Sequence, residues 1–332
     1  MAEGFGPHVL RLPDPEASIE AIAAGMRREV RAFRRKGGVL GLSGGIDSSV
    51  VAALAARAFG PKNVLGVLMP EADSSADTLM LSRLAAEGAG IGTVLEEITP
   101  ILDAVGCYRR RDEAFKRVIP DYGPGWKAKI VLPSVIDSDA FRIFSVVAQA
   151  PDGTTFKERL PLEEYLQVVA ATNFKQRTRK MLEYYHADRL NYAVLGTPNR
   201  LEYDQGFFVK NGDGAADIKP IAHLYKSQVY QLAEALGVPA EIRSRPPTTD
   251  TYSMPQSQEE FYFSLPYDKM DLCLYAVDNG ISAAVVADSL GLTQEQIERV
   301  FQDIAGKRRV SQYLHAAPRL VVGDGQGPSG AA

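Results

Sequence analysis

The run Gly41-Leu42-Ser43-Gly44-Gly45-Ile46-Asp47-Ser48-Ser49 constrains this chain more than any other segment. It stands behind the apolar stretch Gly38–Leu42 and before Asp47–Phe59, where Val50, Val51, Leu54, Ala55 and Ala58 recur on one helical face. Strand, glycine turn and helix in that order form an anion-binding unit. Glycines let backbone N–H groups close on an oxyanion without hindrance from a Cβ. Ser43, Ser48 and Ser49 add hydroxyl donors, and the helix presents its positive end. Asp47 would repel bare phosphate, so its presence calls for a magnesium ion between the two. No Gly-Lys-Ser/Thr follows, which excludes a Walker A loop, and the GxGxxG of a dinucleotide fold is absent.

Strands and helices go on alternating. Val64–Met69 reads as a second strand, Ser75–Glu87 as a helix capped by Ser74 or Ser75, and Thr93–Ile98 as a third strand. Tyr192–Gly196 reads as another strand, reached through a long helix over Leu162–Ala187. This order predicts an α/β fold, a doubly wound parallel sheet with helices on both faces. Residues 129–160 break the rhythm. KIVLPS, FRIFSVVAQ and TTFKERL around an Asp152-Gly153 turn predict an inserted β-hairpin, with Ile130, Leu132, Phe141, Ile143 and Val147 as its apolar positions. Tyr225–Leu236 reads as a helix closed by Gly237 and Pro239, Arg245–Ser257 as a loop, and the remainder to about Leu314 as a helical C-terminal part. Residues 1–322 are expected to form one domain, and 323–332 a disordered tail.

With 45% hydrophobic residues the chain can bury a large core, and 37 basic against 41 acidic residues give a net charge of −4. That balance argues against nucleic acid or a membrane surface as partner and for a small molecule. Cys107 and Cys273 have neither metal nor disulfide spacing, and His186, His223 and His315 are scattered. With no signal-type or membrane-length apolar run, the expectation is a soluble cytoplasmic protein.

A second constellation follows the Tyr192–Gly196 strand. It is Gly196-Thr197-Pro198-Asn199-Arg200-Leu201-Glu202, then Gly206-Phe207-Phe208-Val209-Lys210-Asn211-Gly212-Asp213-Gly214-Ala215-Ala216-Asp217 and Pro220. In a doubly wound sheet, ligands sit at the carboxyl ends of the strands, so Thr197 and Glu202 are expected in the same crevice as Ser43–Ser48. Alone, Glu202 would read as a solvated helix-start carboxylate.

The strand-borne SGGxDS loop resembles that of the ATP-pyrophosphatase superfamily, whose members cleave ATP between the α and β phosphates and adenylate an oxygen that a nitrogen nucleophile then displaces. The GTxxxxE and GFFxKxGDGxxD segments, with Leu224–Val229, Leu236–Pro239 and Pro247–Asp250, are similar to the ammonia-dependent NAD synthetase family. The resemblance implies an adenine nucleotide α-hydrolase-like fold and ATP held by Gly41, Leu42, Ser43, Gly44, Gly45, Ile46, Asp47 and Ser48, with Thr197, Lys226 and Thr248. It further implies magnesium on Asp47 and Glu202, and deamido-NAD contacted by Arg177, Lys210, Asp217 and Lys307. Asp47 and Lys226 would support the chemistry, with Asp217 as proton acceptor. A homodimer with a substrate site near the interface is implied as well, and the Leu162–Ala187 helix is its candidate contact.

The same chemistry on another carboxylic acid is the main alternative, and a regulator that binds nucleotide without turnover is a second. No nitrilase-like segment stands before the first expected helix near residue 25, so free or partner-supplied ammonia is the expected nitrogen source. Three departures from the family pattern stand out. They are the inserted 129–160 segment, Gly306 where histidine is common before Lys307, and Tyr252–Phe263. The insertion precedes the helix bearing Arg177, which favours a lid over the acid pocket or a place at the interface.

Overall fold

The computed structural model describes residues 4–133, 135–136, 144–248, 251–263, 265–319 and 321. The first helix, α1 (Pro15–Ala32), begins well before residue 25, because Asp14 accepts from the Ala17 amide and Pro15 fills the first turn. Then come β1 (Gly38–Gly41), α2 (Ile46–Phe59), β2 (Val64–Leu68), α3 (Thr78–Ala89), β3 (Gly92–Leu95), α4 (Thr99–Ala104) and α5 (Cys107–Val118). The helix expected from Ser75 starts later, at Thr78. Ser74 is drawn into a turn instead, its Oγ accepting from the Glu71 amide at 3.1 Å.

β1, β2, β3 and the later β7 (Ala193–Val194) form one parallel sheet in the order β3-β2-β1-β7. The chain builds outward from β1 through β2 to β3, then returns to the other side of β1. The strand order therefore reverses between β1 and β7, where an open α/β sheet leaves a crevice at its carboxyl edge. The two-residue alternation of the strands serves two helical layers. Leu40, Leu68 and Leu195 pack with α1, α2, α3 and the later α8 (Lys226–Ala235). Val39, Val67 and Val194 face the other way, onto Ile98, Leu102, Cys107 and Ala187. Helices on both faces of a parallel sheet are thus observed.

The insertion is larger than a hairpin. β4 (Lys127–Val131), β5 (Ser145–Gln149) and β6 (Thr155–Arg159) make an antiparallel sheet in that order, with the Asp152-Gly153 turn between β5 and β6. Its covered face is Ala128, Ile130, Val146 and Ala148, packed on Phe115 of α5 and Val168 of α6 (Leu162–Leu190). Of the expected apolar positions, Ile130 is buried and Leu132 and Val147 are half-buried, while Phe141 and Ile143 lie outside the described residues. Val147 is displaced by one because Val146 pairs opposite Ile130 and so takes the inward side.

After β7 come α7 (Arg200–Gln205), α8, α9 (Ala240–Arg243), α10 (Tyr267–Asn279), α11 (Ala283–Leu290) and α12 (Gln294–His315). The last three form the expected helical C-terminal part and share a core with Leu201 and Tyr225. Residues 323–332 lie outside the described set. No helix among the described residues is long and apolar enough to cross a membrane.

Candidate functional site

A cavity of about 460 Å3 opens at the carboxyl edge of β1. Gly41 through Ser48, Thr197, Glu202, Lys226 and Thr248 all line it. The strands fix this convergence. β1 delivers the glycine loop, β7 delivers Thr197 and the start of α7, and α8 begins at Lys226.

The loop is stiff. Gly44 has φ +71° and passes so close to α3 that an added Cβ would lie 2.7 Å from Leu81 Cβ and 3.0 Å from the Ser82 amide nitrogen. Ser43 and Ser48 hydroxyls stand 3.2 Å apart, and Ser48 and Ser49 donate to the Gly45 carbonyl at 3.1 and 2.8 Å. Gly45 caps α2 without a side chain of its own, so the first turn of this 14-residue helix faces the cavity with its cap unfilled, and Asp47 is the acid within that turn.

Four side chains surround the phosphate end. Lys226, 2% exposed, donates to an Asp47 carboxylate oxygen, and the Asn199 amide donates to the other at 3.0 Å. Asn199 also begins α7 with a capping box. Its Oδ1 accepts from the Glu202 amide at 3.1 Å, and its own amide donates to Glu202 Oε2 at 3.2 Å. One asparagine thereby fixes Asp47 and Glu202 relative to each other. Burial and then Asp47 push the Glu202 carboxyl up to about 8. Burial works against the Lys226 charge, but Asp47 and then Glu202 outweigh it and hold that pKa above the ordinary value. Two carboxylates that lack enough positive charge between them fit a hard cation carried in on phosphate oxygens. Among the described residues no cluster of three or more metal-ligating side chains exists that would hold a metal without such a ligand.

The four residues expected to contact the acid do not line this cavity. Arg177 donates to the Lys210 carbonyl at 3.3 Å on an exposed face of α6. Lys210 Nζ donates to the Tyr313 carbonyl at 2.7 Å and sits over its ring. Asp217 accepts from the Val194 amide at 2.7 Å, beside the sheet. Lys307 pairs with Asp303 and donates to the Tyr262 carbonyl, both at 2.7 Å.

In their neighbourhood other residues turn inward. Lys175, Arg179, Lys180, Glu183 and Asp213 line the cavity with the aromatic Phe144, Tyr165, Tyr252 and Phe261. Lys180 and Glu183 form an ion pair at 2.5 Å, each 5% exposed. Burial raises the Asp213 pKa above the ordinary carboxylate value. The wider cavity thus joins a phosphate-loop end to a mixed aromatic and cationic end.

Fold and loop together define a nucleotide-binding α/β domain of the SGGxDS type. The chain belongs to the NAD synthase family, whose family model matches residues 18–118 and 137–311. It is 61% identical over 317 residues to an NH(3)-dependent NAD(+) synthetase of Rhizobium meliloti (strain 1021), covering 96% of this chain and 95% of that protein. It is 34% identical over 259 residues to the protein of that name from Thermotoga neapolitana, covering 78% and 83%. Among solved structures, an NH3-dependent NAD synthetase from Campylobacter jejuni aligns with a TM-score of 0.61 at 22% identity, covering 94% of this chain and all of that one. An NMN synthetase from Francisella tularensis aligns at 0.63 and 21% identity, covering 92% and 98%. These two likenesses speak to the fold alone.

Proposed function

We propose that the chain is an ammonia-dependent NAD synthetase, which converts deamido-NAD to NAD with ATP through an acyl-adenylate. The observation that carries the reading is the Lys226–Asp47–Asn199–Glu202 chain set against the SGGxDS loop, in a protein 61% identical to a relative bearing that name. In the first step the nicotinate carboxylate attacks the α-phosphorus of ATP, and pyrophosphate leaves. In the second, ammonia attacks the acyl carbon, AMP leaves and one proton is released. Ser43, Ser48 and the α2 N-terminus cradle the phosphates, Thr197 and Thr248 border the nucleotide, and the buried Lys226 ammonium offsets charge on the departing pyrophosphate. Asp47 and Glu202 would hold magnesium, whose chemistry is to neutralise and align the polyphosphate.

The part of deamido-NAD remote from its reacting carboxylate is assigned to the set Arg177, Lys210, Asp217 and Lys307. This set lies away from the phosphate cavity, and the exposed side of α6 supports a second subunit beside it. Leu162, Leu166, Met181 and Tyr185 are 71%, 54%, 55% and 59% exposed at helical spacing, and Arg177 lies among them. Two such exposed apolar pairs, one near each end of the helix, support a contact surface there. In a homodimer it would pack isologously and close the acid site. Cytoplasmic placement fits two buried free thiols.

Two outcomes are expected. Purified protein with ATP, magnesium and ammonium chloride releases pyrophosphate only when deamido-NAD is added, and the product is NAD. Release with nicotinate mononucleotide instead would move the enzyme to another acid of the same chemistry. The double variant Leu166→Glu, Tyr185→Glu sediments as a monomer and raises KM for the acid at least about tenfold, since two charges would be buried at the contact. A wild-type protein that sediments as an active monomer at all concentrations would remove the dimer.

A further inference from the structure

The inserted sheet ends in an edge strand, β4, and an edge strand needs a cover. It finds one in the segment running from Thr251 to the π-helical turn Glu259–Phe263. Ser253 Oγ accepts from the Ala128 amide at 3.0 Å, and the Met254 amide donates to the Ala128 carbonyl at 3.3 Å. Gln256, 5% exposed, donates to the Ile130 carbonyl at 2.6 Å. Lys129 reaches both carboxylate oxygens of Glu260 at 2.7 Å. Tyr252 is buried in the insertion's own core, and Lys175 of α6 donates to the Thr251 carbonyl at 2.8 Å.

Several residues of this fastened segment line the cavity, and Gln258 is the one whose side chain bonds Glu202. Gln258 Nε2 donates to Glu202 Oε1 at 3.1 Å. Each oxygen of Glu202 thus has one neutral donor, the Asn199 amide on Oε2 and Gln258 on Oε1. A carboxylate oxygen offers two lone pairs, so both oxygens keep one for a cation. A lysine or arginine at position 258 would orient the carboxylate but cancel the charge that a cation needs. A glutamine orients it and leaves the charge in place.

We propose that Gln258 is a positioning residue for the magnesium-facing carboxylate of Glu202, and that the inserted sheet sets it by fastening residues 253–260 along β4. The insertion acts on the metal end of the site, where the sequence favours a lid over the acid. The proposal rests on the adenylating reading for its metal, and its test does not need turnover.

The experiment measures Mn2+ binding by electron paramagnetic resonance, in the presence of a non-hydrolysable α,β-methylene ATP. The proteins are the wild type, Gln258→Met, Gln256→Ala and the double variant. Gln258→Met keeps the length and removes the donor, and it is expected to weaken Mn2+ at least about tenfold, the usual cost of losing an outer partner of a metal ligand. Gln256→Ala removes the bond to the Ile130 carbonyl and is expected to weaken Mn2+ several-fold. The double variant is expected to match Gln258→Met alone, because both changes act through one contact. Binding of the analogue without metal stays unchanged, and far-ultraviolet circular dichroism confirms the fold.

Mn2+ affinity of a folded Gln258→Met within about twofold of wild type would overturn the positioning role. Full additivity in the double variant would overturn the link to β4. Failure of the wild type itself to bind Mn2+ with the analogue would refute the metal site of the proposed function and this inference with it. If Gln258→Met does not fold, Lys129→Met at the surface of the brace carries the test, with the same sign expected.

Discussion

Asp47→Asn is expected to lower kcat about 10^3-fold while the protein stays folded. The change keeps size and shape and removes one charge, so what it removes is electrostatic. Asp47 holds the Lys226 ammonium, accepts from Asn199 and faces Glu202. An asparagine carries one acceptor oxygen where the carboxylate has two, so either Lys226 or Asn199 loses its partner or meets an N–H group. The magnesium ligand set proposed above would fall from two carboxylates to one, and Lys226 would turn toward Glu202, the only acid left among the two that raise its pKa most. Losing a single preorganised group at a transition-state charge costs about 10^2–10^3 in rate, and here two such groups are disturbed together. Steady-state kinetics with saturating ATP and deamido-NAD, beside a thermal melt, would check it. A kcat within about fivefold of wild type at millimolar magnesium would take Asp47 out of the reaction.

The β1–loop–α2 unit was fully legible because every level agreed there. The apolar strand, the glycine at positive φ and the largely buried helix all require the same turn. At α1 the signal was present and overlooked. Asp14-Pro15 is a cap followed by a proline, and it fixes the start whatever the later periodicity. The insertion shows how far local reasoning reaches. The Asp152-Gly153 turn named the β5–β6 hairpin correctly, since that pairing is local. β4 joins β5 through a connection too long for a tight hairpin turn to reveal the pairing, and one step in register decides between Val146 and Val147 for the core.

The segment from Gly206 to Asp217 reads as one site in the sequence, and the chain divides it. Phe207, Phe208, Val209 and Asp213 line the cavity, while Lys210 reaches the end of α12 and Asp217 binds the backbone of β7. Neighbours in sequence need not share a side of the chain. Lys175, Lys180 and Glu183 escaped notice for a related reason. The buried face of α6 includes Lys175, Thr178, Lys180, Glu183 and His186, so no apolar period marks it. A charged residue inside a long helix reads as solvated until its partner, arriving from a distant loop, is known.

Lys175→Met is expected to destabilise the fold by about 3–5 kcal/mol at neutral pH. Lys175 is 1% exposed and meets Glu71 at 2.9 Å and Asp73 at 2.7 Å, residues of the loop that leaves β2. Arg111 of α5 also pairs with Asp73, and the Tyr108 hydroxyl donates to Glu71 at 2.7 Å. Removing one member of a buried ionic set strands the others away from water, and that costs about 3–5 kcal/mol. For a chain of this length the melting temperature should fall by about 4–7 °C. The charge origin has a signature in pH. Burial raises the Asp73 pKa, but Lys175 and then Arg111 outweigh it, and the net value is lowered. Its contribution in the wild type is therefore present above the ordinary carboxylate pKa of the unfolded chain and fades as pH falls through the lower folded value. In the variant the larger of the two opposing charges is gone, so burial drives the Asp73 pKa upward, and protonation there relieves the strain. The stability gap should accordingly be widest at neutral pH and narrow as pH falls toward the ordinary carboxylate range, where the variant's carboxyl takes up its proton before the wild type's does. Urea unfolding of both proteins at neutral pH and in that range measures it. A gap of equal size at both would assign the loss to packing around the lysine stem and to the Thr251 carbonyl bond, with the buried charges as bystanders.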